Sequence, residues 1–465
     1  LADYALTPDG KKLYYLARFE KGYDLWMNDL VKKETKLVLK LNSRGGGMIM
    51  DKKGENLYIF SGGQIFKITT KDNKKKNVAY LAEFYLNRSR EREYMFEHVW
   101  RQVEKKFYDP DLHGVDWDFY KAEYSKFLPY INNNFDFAEM LSEMLGELNA
   151  SHTGSGYRYR DDKADRTASL GVFYDYDYDG AGIRVLEIIN KGPLDKAELD
   201  VNAGDIIEKI DNIEITADMD YSDLLNHKSD KPTLLTVYDP DSEERKDITV
   251  KPISRGQESQ LLYDRWVDNM EQLTEELSDG RIGYVHVRGM NSSSYREFYS
   301  KVLGENFQKE ALIVDTRFNG GGWLHDDLVT MLNGKKYVDF YPRGQYMGYE
   351  PMNKWVKPSI VLISESNYSD AHGFPYAYKA LEVGDLVGMP VPGTMTAVWW
   401  ETLQDNTVYF GIPQIGTKDP EGNYLENKQL EPDYKVRQDP ALVVEGRDEQ
   451  LEKAVDVLIK QLDGE

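Results

Sequence analysis

The sequence predicts a multidomain α+β protein, and three observations lead there. At 465 residues the chain is too long for a single hydrophobic core. Its apolar periodicity changes along the chain: strand-like over 1–82, helical over 83–150, short strands over 168–252, then alternating strand and helix from about 280. Hydrophobic residues at 41% and charged residues at 30% are those of an ordinary globular protein. We divide the chain into segments 1–82, 83–167, 168–252 and 253–465.

In the first segment, Thr7-Pro-Asp-Gly10 and Asp51-Lys-Lys-Gly54 each open a turn that feeds an alternating strand. Further strands are expected at 23–27 and 64–68. A unit of turn and strands repeating at roughly 40 residues is the signature of β-propeller blades. Two repeats cannot close a propeller, so the expectation is an incomplete one, cut from a longer N-terminus.

The second segment carries two amphipathic helices. Met95, Phe96, Val99, Trp100, Val103 and Phe107 form one apolar face; Phe137, Met140, Leu141, Met144, Leu145 and Leu148 form the other. Ser151-His152 follows the second helix directly. A histidine just past a rigid helix end is held firmly yet stays reachable from a cleft.

The third segment reads as five or six short strands, with short helices expected at 193–198 and 221–227 and a closing hairpin at 233–238 and 246–250. In the fourth, apolar strands at 282–287 and 311–314 flank a crossover helix at 294–303, which implies a mainly parallel sheet. Asn319-Gly-Gly-Gly322 leaves the second of these strands, so main-chain N–H groups can approach a ligand closely. A further strand at 361–363 runs into Asn367-Tyr-Ser-Asp370 and then a helical pattern. A serine at a strand-to-helix turn lies beside free amides and the positive helix end, where an acyl-transfer nucleophile belongs. The last strand is expected at 442–444, before a closing helix with Leu451, Ala454, Val455, Leu458 and Leu462.

Charge and composition exclude several function classes. The net charge of −22 repels phosphate backbones, which argues against nucleic acid as a partner. No apolar run approaches the roughly 20 residues of a membrane span. Cysteine is absent, which removes thiol nucleophiles and thiolate metal sites and suits an oxidising compartment, so an exported, periplasmic location is favoured over the cytoplasm. Only seven histidines compete for the role of base. His325-Asp326-Asp327 and the neighbouring pair Asp370 and His372 raise the alternative of a metal-dependent hydrolase. His372 is also a rival to His152 as base. Thr394, Thr396, Trp399 and Trp400 follow a Gly-bearing turn, either lining a cleft or packing inside.

Ser151-His152, the triple glycine, Ser369-Asp370 and Glu426-Asn-Lys-Gln-Leu-Glu-Pro-Asp433 occur in that order. On these residues the chain resembles the C-terminal portion of the tricorn proteases, serine peptidases related to the C-terminal-processing peptidases. The resemblance implies a helical subdomain, a PDZ domain and an α/β subdomain of the ClpP/crotonase type. It implies Ser369 as nucleophile, His152 as base, and Ser151 and Glu426 completing a tetrad. The amide of Asp370 and one from Gly321 or Gly322 form its oxyanion hole. Gln429-Leu430 replaces the family's Gly-Val. The PDZ-like segment would offer Leu170, Gly171 and Val172 to a peptide C-terminus, although the usual second glycine is missing. Small unfolded peptides are the implied substrates, with neither metal nor cofactor, and a homo-oligomer is an option. A scaffold that only binds peptides is the remaining alternative.

Overall fold

The computed structural model describes residues 1–18, 21–81 and 83–464, so the expected boundary at 82 lies outside the described residues. The chain forms two compact units, Leu1–Asn87 and Arg88–Glu465.

The first unit holds two four-stranded antiparallel meanders. One runs through Asp3–Leu6, Lys12–Arg18, Tyr23–Asp29 and Glu34–Ser43; the other through Gly47–Met50, Asn56–Ser61, Gln64–Thr69 and Lys75–Asn77. Both expected turns close, with Gly10 N donating to Thr7 O and Gly54 N to Asp51 O. Both glycines take a positive φ, +68° and +72°, which L side chains resist. Tyr14, Leu16 and Leu25 of the first meander share one core with Leu57, Ile59 and Ile68 of the second. These are propeller-blade sheets.

The second unit begins with helices Arg88–Lys106, Trp117–Ser125 and Asn134–Gly146. Their apolar faces close on Val408, Phe410 and Ile412, from a strand far along the chain. That strand, Val408–Gly416, lies between Thr396–Thr402 and Gly154–Tyr157 in a three-stranded sheet that sequence reasoning did not foresee.

Residues 172–250 form a separate sheet in the order Val172–Tyr174, Ile183–Ile188, Ile206–Ile210, Thr233–Asp239, Glu244–Val250, with Ile213–Glu214 beside the third. The helix expected at 193–198 is a run of turns: a few residues after Pro193 cannot offset the cost of nucleating a helix. The one expected at 221–227 is a 3₁₀ helix, Tyr221–Leu225; beyond it His227 takes φ +59° and donates its N–H to Arg166 O.

The last part is a parallel five-stranded sheet, Ile282–His286, Ala311–Asp315, Ser359–Ile363, Leu386–Gly388 and Tyr434–Lys435 in that order. Alternate residues feed two cores. Val285, Leu312, Val314, Val361 and Ile363 meet helices Ser292–Ser300, His325–Leu332 and Asp370–Ala380. Tyr284, Ile313, Ile360 and Leu362 meet helices Arg255–Leu277 and Glu449–Asp463. Residues 442–444 belong to a helix, Pro440–Val444, rather than the expected strand. The Asp439 side chain caps it by accepting Ala441 N–H, and Pro440 suits the first turn.

Candidate active site

The strand Ser359–Ile363 is buried throughout, and the chain leaves it through a tightly bonded turn. Asn367 is almost fully buried; its amide donates to Thr316 Oγ1 at 3.0 Å and Ala371 O at 3.3 Å. Ser369 sits at φ +57°, ψ −123°, a conformation rare for a side-chain-bearing residue. Holding it there costs about 1–3 kcal/mol, supplied by the surrounding bonds. Helix Asp370–Ala380 starts at once, with Ser369 O accepting from His372 N at 2.8 Å. The Asp370 carboxylate accepts Leu324 N–H and His325 N–H and is paired with His325 Nδ1, which raises the pKa of that imidazole.

The triple glycine lies against this turn. A Cβ on Gly321 would fall 2.6 Å from Ser369 Cβ, and one on Gly322 would fall 2.0 Å from Met290 O, so neither position admits a side chain. Gly321 N donates to Asn319 Oδ1 at 2.8 Å, and Asn319 Nδ2 donates to Val287 O at 2.7 Å. The Gly321 amide is therefore already committed. Among the described residues, the amides of Gly322 and Asp370 donate to no protein acceptor.

On the opposite wall, Ser151 and His152 sit between helix Asn134–Gly146 and strand Gly154–Tyr157. Ser151 donates its amide to Glu426 Oε1 and its hydroxyl to Glu426 Oε2 at 3.0 Å. Ser151 Oγ lies 2.9 Å from His152 Nδ1. His152 itself has φ +62°, and its N–H donates to the Tyr368 hydroxyl at 2.7 Å. The Tyr368 ring lies 4.8 Å from the imidazole, centre to centre. Thr396 Oγ1 lies 3.0 Å from His152 Nδ1. Burial pushes His152 down to about 4, so the ring is neutral and able to accept a proton. Burial raises the Glu426 carboxyl, and its two bonds from Ser151 oppose the rise.

His152 and Ser369 line one cleft of about 680 Å³, together with Gly320, Gly321, Gly322 and Asp370. Its apolar walls are Trp323, Met395, Val398, Trp400 and Ile415. Ser369, His152, Ser151, Glu426, Asp370 and the glycines are thus brought together. His372 is not part of the cleft: it is 1% exposed, and its Nδ1 accepts from Thr394 N at 3.3 Å. His325 reaches the cleft wall, but its Nδ1 is taken by Asp370, and Asp326 and Asp327 are exposed. Among the described residues, no three His, Asp or Glu side chains are grouped as metal ligands.

Leu170, Gly171 and Val172 lie in the separate sheet region, all buried. Gly171 N–H donates to Ser169 Oγ at 2.9 Å, and a Cβ there would meet Pro193 Cδ at 2.6 Å. The Gly171 amide is spent within the fold. Sequence reasoning named Tyr368 and Asn319 only as turn residues and missed their bonds: the Tyr368 hydroxyl reaches His152, 216 positions away, and the Asn319 side chain ties Gly321 to Val287. Gln429 occupies the rim of a shallow depression beside Glu426, while the Glu426 bonds stand as described.

Three family models match the chain: the Tricorn protease C1 domain over residues 88–146, the Tricorn protease PDZ domain over 180–255, and Peptidase family S41 over 281–436. The Tricorn protease homolog of Saccharolobus solfataricus is 27% identical across 81% of this chain and 36% of its own length. The Tricorn protease of Thermoplasma volcanium is 24% identical across 97% of this chain and 44% of its own. Among solved structures, a crystal structure of the tricorn protease superposes with a TM-score of 0.82 at 20% identity, over 97% of this chain and 46% of that one. The chain spans about half the length of the curated relatives it matches, or less.

Proposed function

We propose that this chain, which belongs to the tricorn protease family of serine peptidases, hydrolyses small unfolded peptides through a covalent acyl-enzyme. Ser369 is the nucleophile and His152 its general base. The observation that carries the reading is the chain of hydrogen bonds from Glu426 through Ser151 to His152, ending at the cleft that also holds Ser369.

Ser369 Oγ adds to the scissile carbonyl while His152 Nε2 takes its proton. Ser151 accepts the Nδ1 proton of the ring and donates its own to Glu426, which fixes the tautomer and stabilises the imidazolium as it forms. The tetrahedral oxyanion accepts from the Asp370 and Gly322 amides, which among the described residues donate to no protein acceptor. Collapse returns the proton from His152 to the leaving amine and leaves an acyl group on Ser369. Water, deprotonated by the same imidazole, then releases the carboxylic acid. In this reading segment 83–167 supplies the base and segment 253–465 the nucleophile.

Replacing Ser369 by Ala tests the assignment. Turnover of short peptides is expected to fall on the order of 10⁶-fold, and labelling by a fluorophosphonate to vanish. Undiminished cleavage by the variant would remove Ser369 from the chemistry.

A further inference from the structure

Three polar atoms form a triangle behind the base. His152 Nδ1 lies 2.9 Å from Ser151 Oγ and 3.0 Å from Thr396 Oγ1, and the two hydroxyls are 3.0 Å apart. The protons can be placed by elimination. Glu426, accepting two bonds from Ser151, takes the Ser151 hydroxyl proton, so Ser151 Oγ offers only lone pairs to the triangle. Thr396 fills one of them with its own O–H and thereby turns a lone pair toward Nδ1–H. The imidazole proton then has two acceptors, one tied to Glu426 and one not.

Thr396 is buried and owes its place to neither Ser151 nor Glu426. It opens the strand Thr396–Thr402, which pairs with Val408–Gly416 from Thr396 opposite Gly416 onward, with one register shift between Ala397 and Val398. Two residues earlier, Thr394 Oγ1 accepts the Ser369 amide at 2.9 Å. One short stretch thus touches the nucleophile through its first threonine and the base through its second.

We propose that Thr396 is a positioning residue of this relay, sharing the Nδ1 proton of His152 with Ser151, and that Thr394 sets the nucleophile turn from the same stretch. The proposal rests on the peptidase reading above. It makes Ser151 partly replaceable: with its hydroxyl gone, Thr396 still holds the ring in the tautomer whose Nε2 lone pair faces the cleft.

The test is a double-mutant cycle of Ser151→Ala and Thr396→Val, with Thr396→Ser as the conservative variant. Thr396→Val is expected to lower kcat about tenfold, the worth of one hydrogen bond to a group that becomes charged, with KM unchanged. The acid limb of its pH profile moves to lower pH, because the imidazolium loses an acceptor. Thr396→Ser returns kcat to within about twofold of the wild type, since the hydroxyl is restored. The double variant falls below the product of the two single losses. A strictly multiplicative double variant, or a Thr396→Val enzyme with unaltered kcat and pH profile, overturns the proposal. A second readout does not need turnover. In the Ser369→Ala protein, ring ¹⁵N shifts of His152 report the tautomer directly. Retention of Nδ1–H in Ser151→Ala and its loss on adding Thr396→Val supports the shared proton even if Ser369 proves not to be the nucleophile. Loss of Nδ1–H in Ser151→Ala alone refutes it.

Discussion

Around Ser369 the holding groups come from nearby in the chain. Apart from the Tyr368 hydroxyl, the partners of the turn lie within 51 positions: Thr316, Asn319, Leu324, His325, Ala371 and Thr394. Around His152 they come from far away. Asn427 Nδ2 donates to Asn149 O, and Glu426, Tyr368 and Thr396 hold residues 151 and 152. These four lie between 216 and 278 positions from the residues they hold. A strand–turn–helix unit fixes Ser369, the proposed nucleophile, by local geometry, whereas His152, the proposed base, is fixed only once distant strands have found their register. The nucleophile side should therefore resist distant perturbation and the base side should not.

The contrast can be broken in graded steps. Gly321→Ala strikes the nucleophile side at its tightest point, since the new methyl would collide with Ser369 Cβ and Tyr368 O, both at 2.6 Å, in a backbone already at φ +94°. We expect turnover to fall about 10³-fold, because the methyl displaces Ser369 and the adjoining Asp370 amide together, with fluorophosphonate labelling reduced in parallel. Gly411→Ala strikes the base side from a distance. Its methyl would come 2.5 Å from His152 O, across the pairing of Gly411 with Gly154. A displacement of this kind should lower kcat about 10²-fold, while the Ser369 turn keeps its own bonds. Equal damage in both variants would mean that the two walls move as one.

The pH response sharpens the contrast most gently. His152 titrates at about 4 because of burial, and the base must be neutral, so kcat/KM should hold down to about pH 4 and drop below it. Stability follows the same shift. The unfolded histidine, at about 6.5, takes up its proton first, so the folded state loses stability as pH falls from there toward about 4. His372, also held at about 4 by burial, adds to that loss of stability but not to the activity limb. An activity limb near pH 6.5 would place His152 in water and dissolve the distinction between the walls.

Much of this site can be read directly from the residues because its parts are local. A buried run before Asn367 and helical spacing after it announce the Ser369 turn, and a helix end announces Ser151-His152. Three features escape. The sheet that joins Gly154–Tyr157 to Val408–Gly416 pairs segments more than 250 positions apart, and no periodicity encodes such a partner. Helix Arg255–Leu277 had a visible signal in the capping box of Ser254 and Gln257 but is only weakly apolar, with Val267 its one buried aliphatic residue. Residues 442–444 look like a strand by composition, and the preceding Asp439-Pro440 decides for helix. Gly321 and Gly322 look equivalent in sequence; in the fold only the Gly321 amide is taken by the Asn319 side chain, and Gly322 packs against Met290 instead.

The hydrogen bonds that build the relay involve no residue between 158 and 253. The sheet spanning 172–250 is in effect a long excursion between the strand that follows the base and the helix that precedes the nucleophile's sheet. Its surface can drift, or be exchanged for another by recombination, without retuning the reaction centre. That separation leaves the geometry around His152 and Ser369 independent of the side chains the sheet displays.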